Sequence, residues 1–267
     1  MIFFSRKKKG GPVAGLDVGS RFVKACIAEN GRPAGMAVLP VARNMEAVIR
    51  EVLDEAAINS GTTGRRISSV IATGAGAGLL SGRRQSVPAG RAAHAGACAL
   101  CPEVESVLDA GGLYLGVTSR NPRTGRADCV TNERCAAGSG KFLEMVAKAL
   151  DVDLSEVSAR AAASREPYAI NATCAVFAES EVVNAVNAGM DAGDILAGVI
   201  FSIASRAVSL LEKADARGPL ALVGGLALVD AFTSRVSGIS ALARAETGID
   251  PAFVTAFGAA LLADNNL

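Results

Sequence analysis

Two cysteines stand just ahead of helix-like runs. Cys135 lies in NERCAAGSGKFLEMVAKAL (132–150) and Cys174 in NATCAVFAESEVV (171–183), 39 residues apart. A thiolate at a helix N-terminus is stabilised by free N–H groups and by the helix dipole. An anionic iron–sulfur cluster would gain in the same way, but such a cluster takes four thiolates. Two per chain make half a site, which a two-fold homodimer with the cluster on its axis would complete. The alternative is that both are small buried residues, a common use of cysteine.

The Gly-Ser-Gly-Lys after Cys135 invites comparison with a P-loop, but that pattern needs Gly at 135 and Ser or Thr at 142. Those positions hold Cys135 and Phe142, so the P-loop is excluded. A different phosphate logic fits. Asp17-Val-Gly-Ser20 and Asp109-Ala-Gly-Gly112 each end an apolar run with an acidic residue and small neighbours. Glycine lets the backbone approach a phosphate, and its N–H groups can cradle the anion. Asp17 can hold Mg²⁺ through water. Gly224-Gly225 offers a third close approach, suited to an adenosine. Each alone is equally well explained as a turn.

The elements that would position these residues repeat. Residues 13–39 and 104–130 each run from an apolar stretch ending in Asp-x-Gly-[Ser/Gly] into a strand-like run, a turn rich in Gly, Asn and Pro, and another strand-like run. The two aspartates are 92 residues apart. Apolar spacing predicts helices over 45–58, 141–150, 176–188, 195–211 and 253–263, with Gly189 as a C-cap. Strands entering glycine loops are predicted at 69–78 and 220–228. Strands alternating with helices predict an α/β protein.

Half of the 267 residues are hydrophobic and none is Trp, so the core must come from Ala, Val, Leu and Ile. A net charge of +1 offers no electrostatic case for nucleic acid. The basic run Arg6–Lys9 reads as a solvated tail, and Met1–Phe4 is too short for a signal peptide's apolar region. The apolar stretch 195–211 carries Arg206 and helical spacing, so it reads as a buried helix and not a membrane span. The expectation is a cytoplasmic protein whose six cysteines are not structural disulfides.

The cysteine motifs resemble those of the ATP-dependent activators of 2-hydroxyacyl-CoA dehydratases, within the BadF/BadG/BcrA/BcrD ATPase family of the actin, sugar-kinase and Hsp70 superfamily. GLDVGSRFVKA, VIATGAG, VLDAGG, GDILAGVIFSIASRAVSLL, LALVGGLA and VTAFGAALLA are similar to family motifs in the same order, over about residues 13–264. The resemblance implies two RNase-H-like (actin/Hsp70 ATPase-like) domains of duplicated mixed-sheet topology with an interdomain nucleotide cleft. The implied halves are 12–97 plus about 250–267, and 98–249. It implies one 4Fe–4S cluster per homodimer held by Cys135 and Cys174, and ATP or ADP with Mg²⁺. Asp17 and Asp109 are then the catalytic carboxylates. Gly19, Ser20, Lys24, Gly111, Gly112, Gly138, Ser139, Gly140, Gly224 and Gly225 bind the nucleotide. The implied work is ATP-driven transfer of one electron, from a ferredoxin or flavodoxin, into an iron–sulfur acyl-CoA dehydratase or benzoyl-CoA-type reductase under anaerobic conditions.

Two loops depart from the family pattern. Arg21 follows Ser20 where Thr is usual; it could pair with phosphate or face solvent. Leu113 and Tyr114 replace Gln and Asp after Gly112, which points to weak hydrolysis. A weakly hydrolysing or non-catalytic paralogue and a small-molecule kinase are therefore the alternative readings. Cys98-x-x-Cys101 with the single His94 lacks the ligands for zinc and reads as buried structural thiols. Cys26 and Cys129 fall in predicted strands and read as core. Glu179 follows the second cysteine motif, either supporting it or lying on the surface.

Overall fold

The structure is a computed structural model that describes residues 11–62, 66–79, 85–121, 123–132, 138–170 and 175–263. Its elements run β1 (Val13–Val18), β2 (Phe22–Glu29), β3 (Arg32–Pro40), α1 (Met45–Asn59), β4 (Ser69–Thr73), β5 (Gln85–Ser86) and α2 (Ala89–Leu100). There follow β6 (Ser106–Ala110), β7 (Leu115–Arg120), β8 (Ala127–Thr131), α3 (Gly140–Ala149), α4 (Val157–Ala162), α5 (Ala175–Asn187) and α6 (Ala192–Lys213). The chain closes with β9 (Leu220–Val223), α7 (Asp230–Ser240), β10 (Arg244–Ala245) and α8 (Val254–Leu261).

Two five-stranded sheets result, β3-β2-β1-β4-β5 and β10-β9-β6-β7-β8. Read from β8, the second repeats the order of the first strand for strand. β1 is antiparallel to β2 and parallel to β4, so the first sheet is mixed. β7 and β8 are antiparallel, as are β2 and β3. This is the duplicated RNase-H-like α/β topology that the family resemblance implies. The chain divides into a unit of residues up to Val107 with those from Ala245 on, and a second unit, Leu108–Arg244.

In the first unit, α1 starts at Asn44, whose side chain accepts from Ala47 N at 3.2 Å, a standard N-cap. Its Val48, Ile49, Val52 and Leu53 cluster with Leu16, Val23, Ala25 and Ile27 of β1 and β2. Burying a side chain such as Leu16 contributes about 1.5–3 kcal/mol. Cys26 and Ala28 pack instead with Ala256, Phe257 and Ala260 of α8. A Cβ at Gly15 would strike the Ala256 carbonyl, so glycine lets α8 lie directly on β1.

In the second unit, α6 places Ile195, Leu196, Val199 and Ile203 in a core shared with Phe142 and Leu143 of α3 and with Leu115 and Val117 of β7. Among the described residues α6 is the one helix long and apolar enough to cross a membrane, and most of it is buried in the protein. Apolar spacing does not announce α2 or α7. The buried face of α2 is only Gly90, Ala92, Ala93, Gly96 and Ala97, and α7 buries just Phe232, Thr233 and Val236.

The cysteines correct two expectations. Cys26 is core, but Cys129 is exposed, because β8 is the edge strand and only its Val130 packs against the unit's core. Cys98 and Cys101 are half-buried and not core thiols, because α2 turns its glycines and alanines inward.

Candidate functional site

In the first unit, β1 delivers Asp17 opposite Lys24 of β2. The Lys24 ammonium lies 2.8 Å from Asp17 Oδ2, and both side chains are 13% exposed. The hairpin is closed by Gly19 N donating to Phe22 O at 3.1 Å. A Cβ at Gly19 would come within 2.9 Å of that carbonyl, so the turn requires glycine. At the tip Ser20 is exposed, and its N–H has no acceptor among the described residues. The Arg21 guanidinium sits 5.8 Å from the centre of the Phe22 ring. Gly74, just past β4, has φ +88°. A Cβ there would be 2.7 Å from Asp17 Oδ1 and 2.6 Å from Val18 O.

The second unit repeats this arrangement. Asp109 is 7% exposed, and Gly111 N donates to Tyr114 O at 2.7 Å. Gly224, just past β9, has φ +89°. A Cβ there would be 2.8 Å from Asp109 Oδ1 and 2.5 Å from Ala110 O. Each carboxylate is therefore backed by a left-handed glycine from the neighbouring strand. Gly225 opens a single 3₁₀ turn, Gly225–Leu228, and its N–H too lacks an acceptor among the described residues.

The repeats differ beside the carboxylate. Seven residues after the aspartate stand Lys24 in one unit and Gly116 in the other. The Tyr114 phenol fills the space that a side chain at 116 would take. Its Oη is 3.7 Å from Cys129 Sγ. Burial first, then the Asp109 carboxylate and Cys129, push the phenol pKa far up and keep it neutral. The second loop thus offers a neutral hydroxyl where the first has an ammonium. Leu113 is exposed.

The Gly138-Ser139-Gly140 segment joins this loop. Gly140 N donates to Gly111 O at 3.0 Å and Lys141 N to Gly112 O at 2.8 Å. A Cβ at Gly140 would be 3.1 Å from the Gly111 carbonyl. Ser139 is buried at the N-cap of α3, and Gly138 lies against the stem of Arg206. The structure thus brings Asp109, Gly111, Gly112, Gly140 and Gly224 together in one unit. Asp17, Gly19, Ser20 and Lys24 gather in the other.

Cys135 and Cys174 lie outside the described residues. Elsewhere, among the described residues, no group of three or more His, Cys, Asp or Glu is arranged to hold a metal ion. The approach to Cys174 is nonetheless defined. Asp194, in the first turn of α6, accepts from Ser164 Oγ at 2.6 Å, Arg165 N at 3.0 Å and Glu166 N at 3.1 Å. Its carbonyl accepts from Tyr168 N at 2.9 Å, and Gly198 leaves room for the Tyr168 carbonyl against α6. The Ser164 hydroxyl, then the Glu166 amide, hold the Asp194 carboxyl below its usual range. Asp194 and Gly198 are absent from the expected site, and their one signal is the motif GDILAG. On α5, Glu179 is exposed, as are Phe177, Val183 and Val186.

A model of the BadF/BadG/BcrA/BcrD ATPase family matches residues 14–263. The chain belongs to that family. Within it, the chain is 33% identical over 224 residues to the (R)-2-hydroxyglutaryl-CoA dehydratase activating ATPase of Acidaminococcus fermentans, covering 80% of this chain and 82% of the relative. It is 30% identical to the activator of lactoyl-CoA dehydratase of Anaerotignum propionicum, over 84% of this chain and 87% of the relative. The solved activator of 2-hydroxyisocaproyl-CoA dehydratase from Clostridium difficile, with bound ADPNP, superposes with a TM-score of 0.86 at 28% identity, covering 94% of both chains. The family's ATPase chemistry suits what the loops offer: N–H groups at Ser20 and Gly225 without acceptors among the described residues, and an aspartate in each unit. Such donors and carboxylates bind phosphate and Mg²⁺.

Proposed function

We propose that the chain is an ATP-dependent electron-transfer protein that activates an iron–sulfur acyl-CoA dehydratase. The observation that carries this reading is the pair of hydrogen bonds from Gly140 and Lys141 to Gly111 and Gly112. They fasten a phosphate loop to the helix that follows Cys135, in a family whose relatives are named as dehydratase activators. A change at the nucleotide phosphates is thereby passed to α3 without an intervening side chain.

In this reading the N–H groups of Ser20, Gly112 and Gly225 receive the nucleotide. Lys24 holds the Asp17 carboxylate in one orientation, so that it can organise Mg²⁺ through water. Asp109 serves from the second loop. Cys135 and Cys174 of two copies would supply the four thiolates of a 4Fe–4S cluster. That cluster would carry one electron, received from a ferredoxin or flavodoxin. The exposed Val183 and Val186 of α5, three residues apart and so on one face of the helix that follows Cys174, support a second copy as the cover for that face. The place of work is the reducing cytoplasm. A reductase in place of a dehydratase remains an outcome of the same test.

The replacement of two polar residues by Leu113 and Tyr114 favours slow hydrolysis within this reading. The test is anaerobic purification, iron and phosphate-release assays, and reduction of an added dehydratase with and without ATP. Iron-free protein, or ATP-independent reduction, overturns the proposal.

A further inference from the structure

We propose that Cys98 and Cys101 form a reversible intramolecular disulfide, with His94 as the base that readies Cys98. His94 and Cys98 occupy positions i and i+4 of α2 and share one stripe of it, and Cys101 is the residue that caps its C-terminus. All three are half-buried, beside the glycine and alanine face that the helix buries. His94 Nε2 lies 3.6 Å from Cys98 Sγ and Nδ1 3.8 Å. An imidazole at that distance raises the thiolate fraction of a neighbouring thiol. Cys26, by contrast, is fully buried with its pKa pushed up to about 12 and is inert.

The spacing suits a bridge. Cys101 N still donates to Ala97 O at 2.8 Å, so Cys98 and Cys101 are one helical turn apart. One turn lies within the roughly 4.4–6.8 Å Cα separation of disulfides. Cys101 itself has left the helix, with φ −137° and ψ 97°, which frees its side chain to turn towards Cys98.

The oxidant is a peroxide. The Cys98 thiolate attacks one peroxide oxygen; an S–O bond forms, the O–O bond breaks, and hydroxide takes the proton from His94 to leave as water. The Cys101 sulfur then attacks the sulfenic sulfur; the S–S bond forms, the S–O bond breaks, and a second water leaves with the Cys101 proton. Two thiols and hydrogen peroxide become one disulfide and two waters, and a dithiol reverses the step. In the reduced form Cys98 Sγ donates to Val104 O at 3.6 Å. The bridge removes that donor and slackens the stretch entering β6, the strand that carries Asp109.

The test uses reduced, full-length, anaerobic protein treated with one equivalent of hydrogen peroxide, then alkylated and cut with trypsin. The peptide 92–120 contains Cys98 and Cys101 and no other cysteine. It should emerge two hydrogens lighter and unalkylated, and dithiothreitol should restore both thiols. His94→Gln should slow the bridge about tenfold at neutral pH, the effect of a one-unit rise in thiol pKa. A peptide that stays doubly alkylated, a bridge from Cys98 to any other cysteine, or an unchanged rate in His94→Gln overturns the proposal. The first two outcomes are read on the parent protein and do not depend on how the variant folds.

Discussion

The backbone N–H of Gly140 lies 3.0 Å from the carbonyl oxygen of Gly111. That bond makes the first turn of α3 an extension of the second Asp-x-Gly-Gly loop. A loop that shifts by a fraction of an ångström on losing a phosphate must move the helix start or break the bond. A substitution at either glycine should therefore be felt both at the nucleotide and at the cysteine loop.

The paired glycines behind the carboxylates give the most direct structural test. Gly74→Ala and Gly224→Ala each force a Cβ into left-handed backbone and against a carbonyl at 2.5–2.6 Å. Each should cost about 1–3 kcal/mol in urea unfolding and weaken ATP binding. Gly238→Ala, in α7 with open space around it, should be neutral or gain about 1 kcal/mol. Equal, small effects at all three sites would dismiss the close approach.

Asp17→Asn should lower steady-state phosphate release about a hundredfold, because it removes the carboxylate that Lys24 orients. The pair Leu113→Gln with Tyr114→Asp should raise release if the missing polar groups limit it. It should also cost about 2–4 kcal/mol, since the Tyr114 ring no longer fills the space over Gly116. A parent that already turns over ATP as fast as the pair ends the reading of weak hydrolysis.

Iron separates the cluster from a structural use of the cysteines. Anaerobic protein should hold about four irons per two chains, and Cys135→Ser or Cys174→Ser should remove most of it. Retention of full iron by both variants would count against the bridge.

Asp194 sets a pH dependence. Its folded-state pKa is depressed below the ordinary 3.8, so its stabilisation is present above that value and is lost as pH falls through the folded pKa. The melting temperature of Asp194→Ala should therefore trail the parent by a constant amount from pH 7 to about pH 5, and the gap should close towards pH 2. Asp194→Asn keeps an acceptor and should behave between the two. At pH 8, loss of the clamp should also expose the Arg165–Glu166 bond to trypsin. A gap that persists unchanged to pH 2 excludes the carboxylate as its cause.

The duplicated fold was legible because each half begins with an apolar run ending in Asp-x-Gly, and a buried strand tolerates little else. The ion pair of Asp17 with Lys24 was harder to see, since it depends on hairpin register. α2 was invisible because its buried face is glycine and alanine, which carry almost no apolar signal. Cys129 was misplaced because residue type does not distinguish an edge strand from a central one. Asp194 was missed because an acidic residue in the first turn of a helix ordinarily serves the helix dipole. Its bonds to Ser164, Arg165 and Glu166 come from a segment about 30 residues away.

The contact between Gly15 and Ala256 bears on how the protein is made. β1 leaves the ribosome well before α8, which covers it. The second unit is continuous in sequence and can complete itself while synthesis proceeds. The first sheet must wait, with its α8 face bare, until some 240 further residues have emerged. Long-range closure of this kind is slow and leaves apolar surface open to chaperones and aggregation.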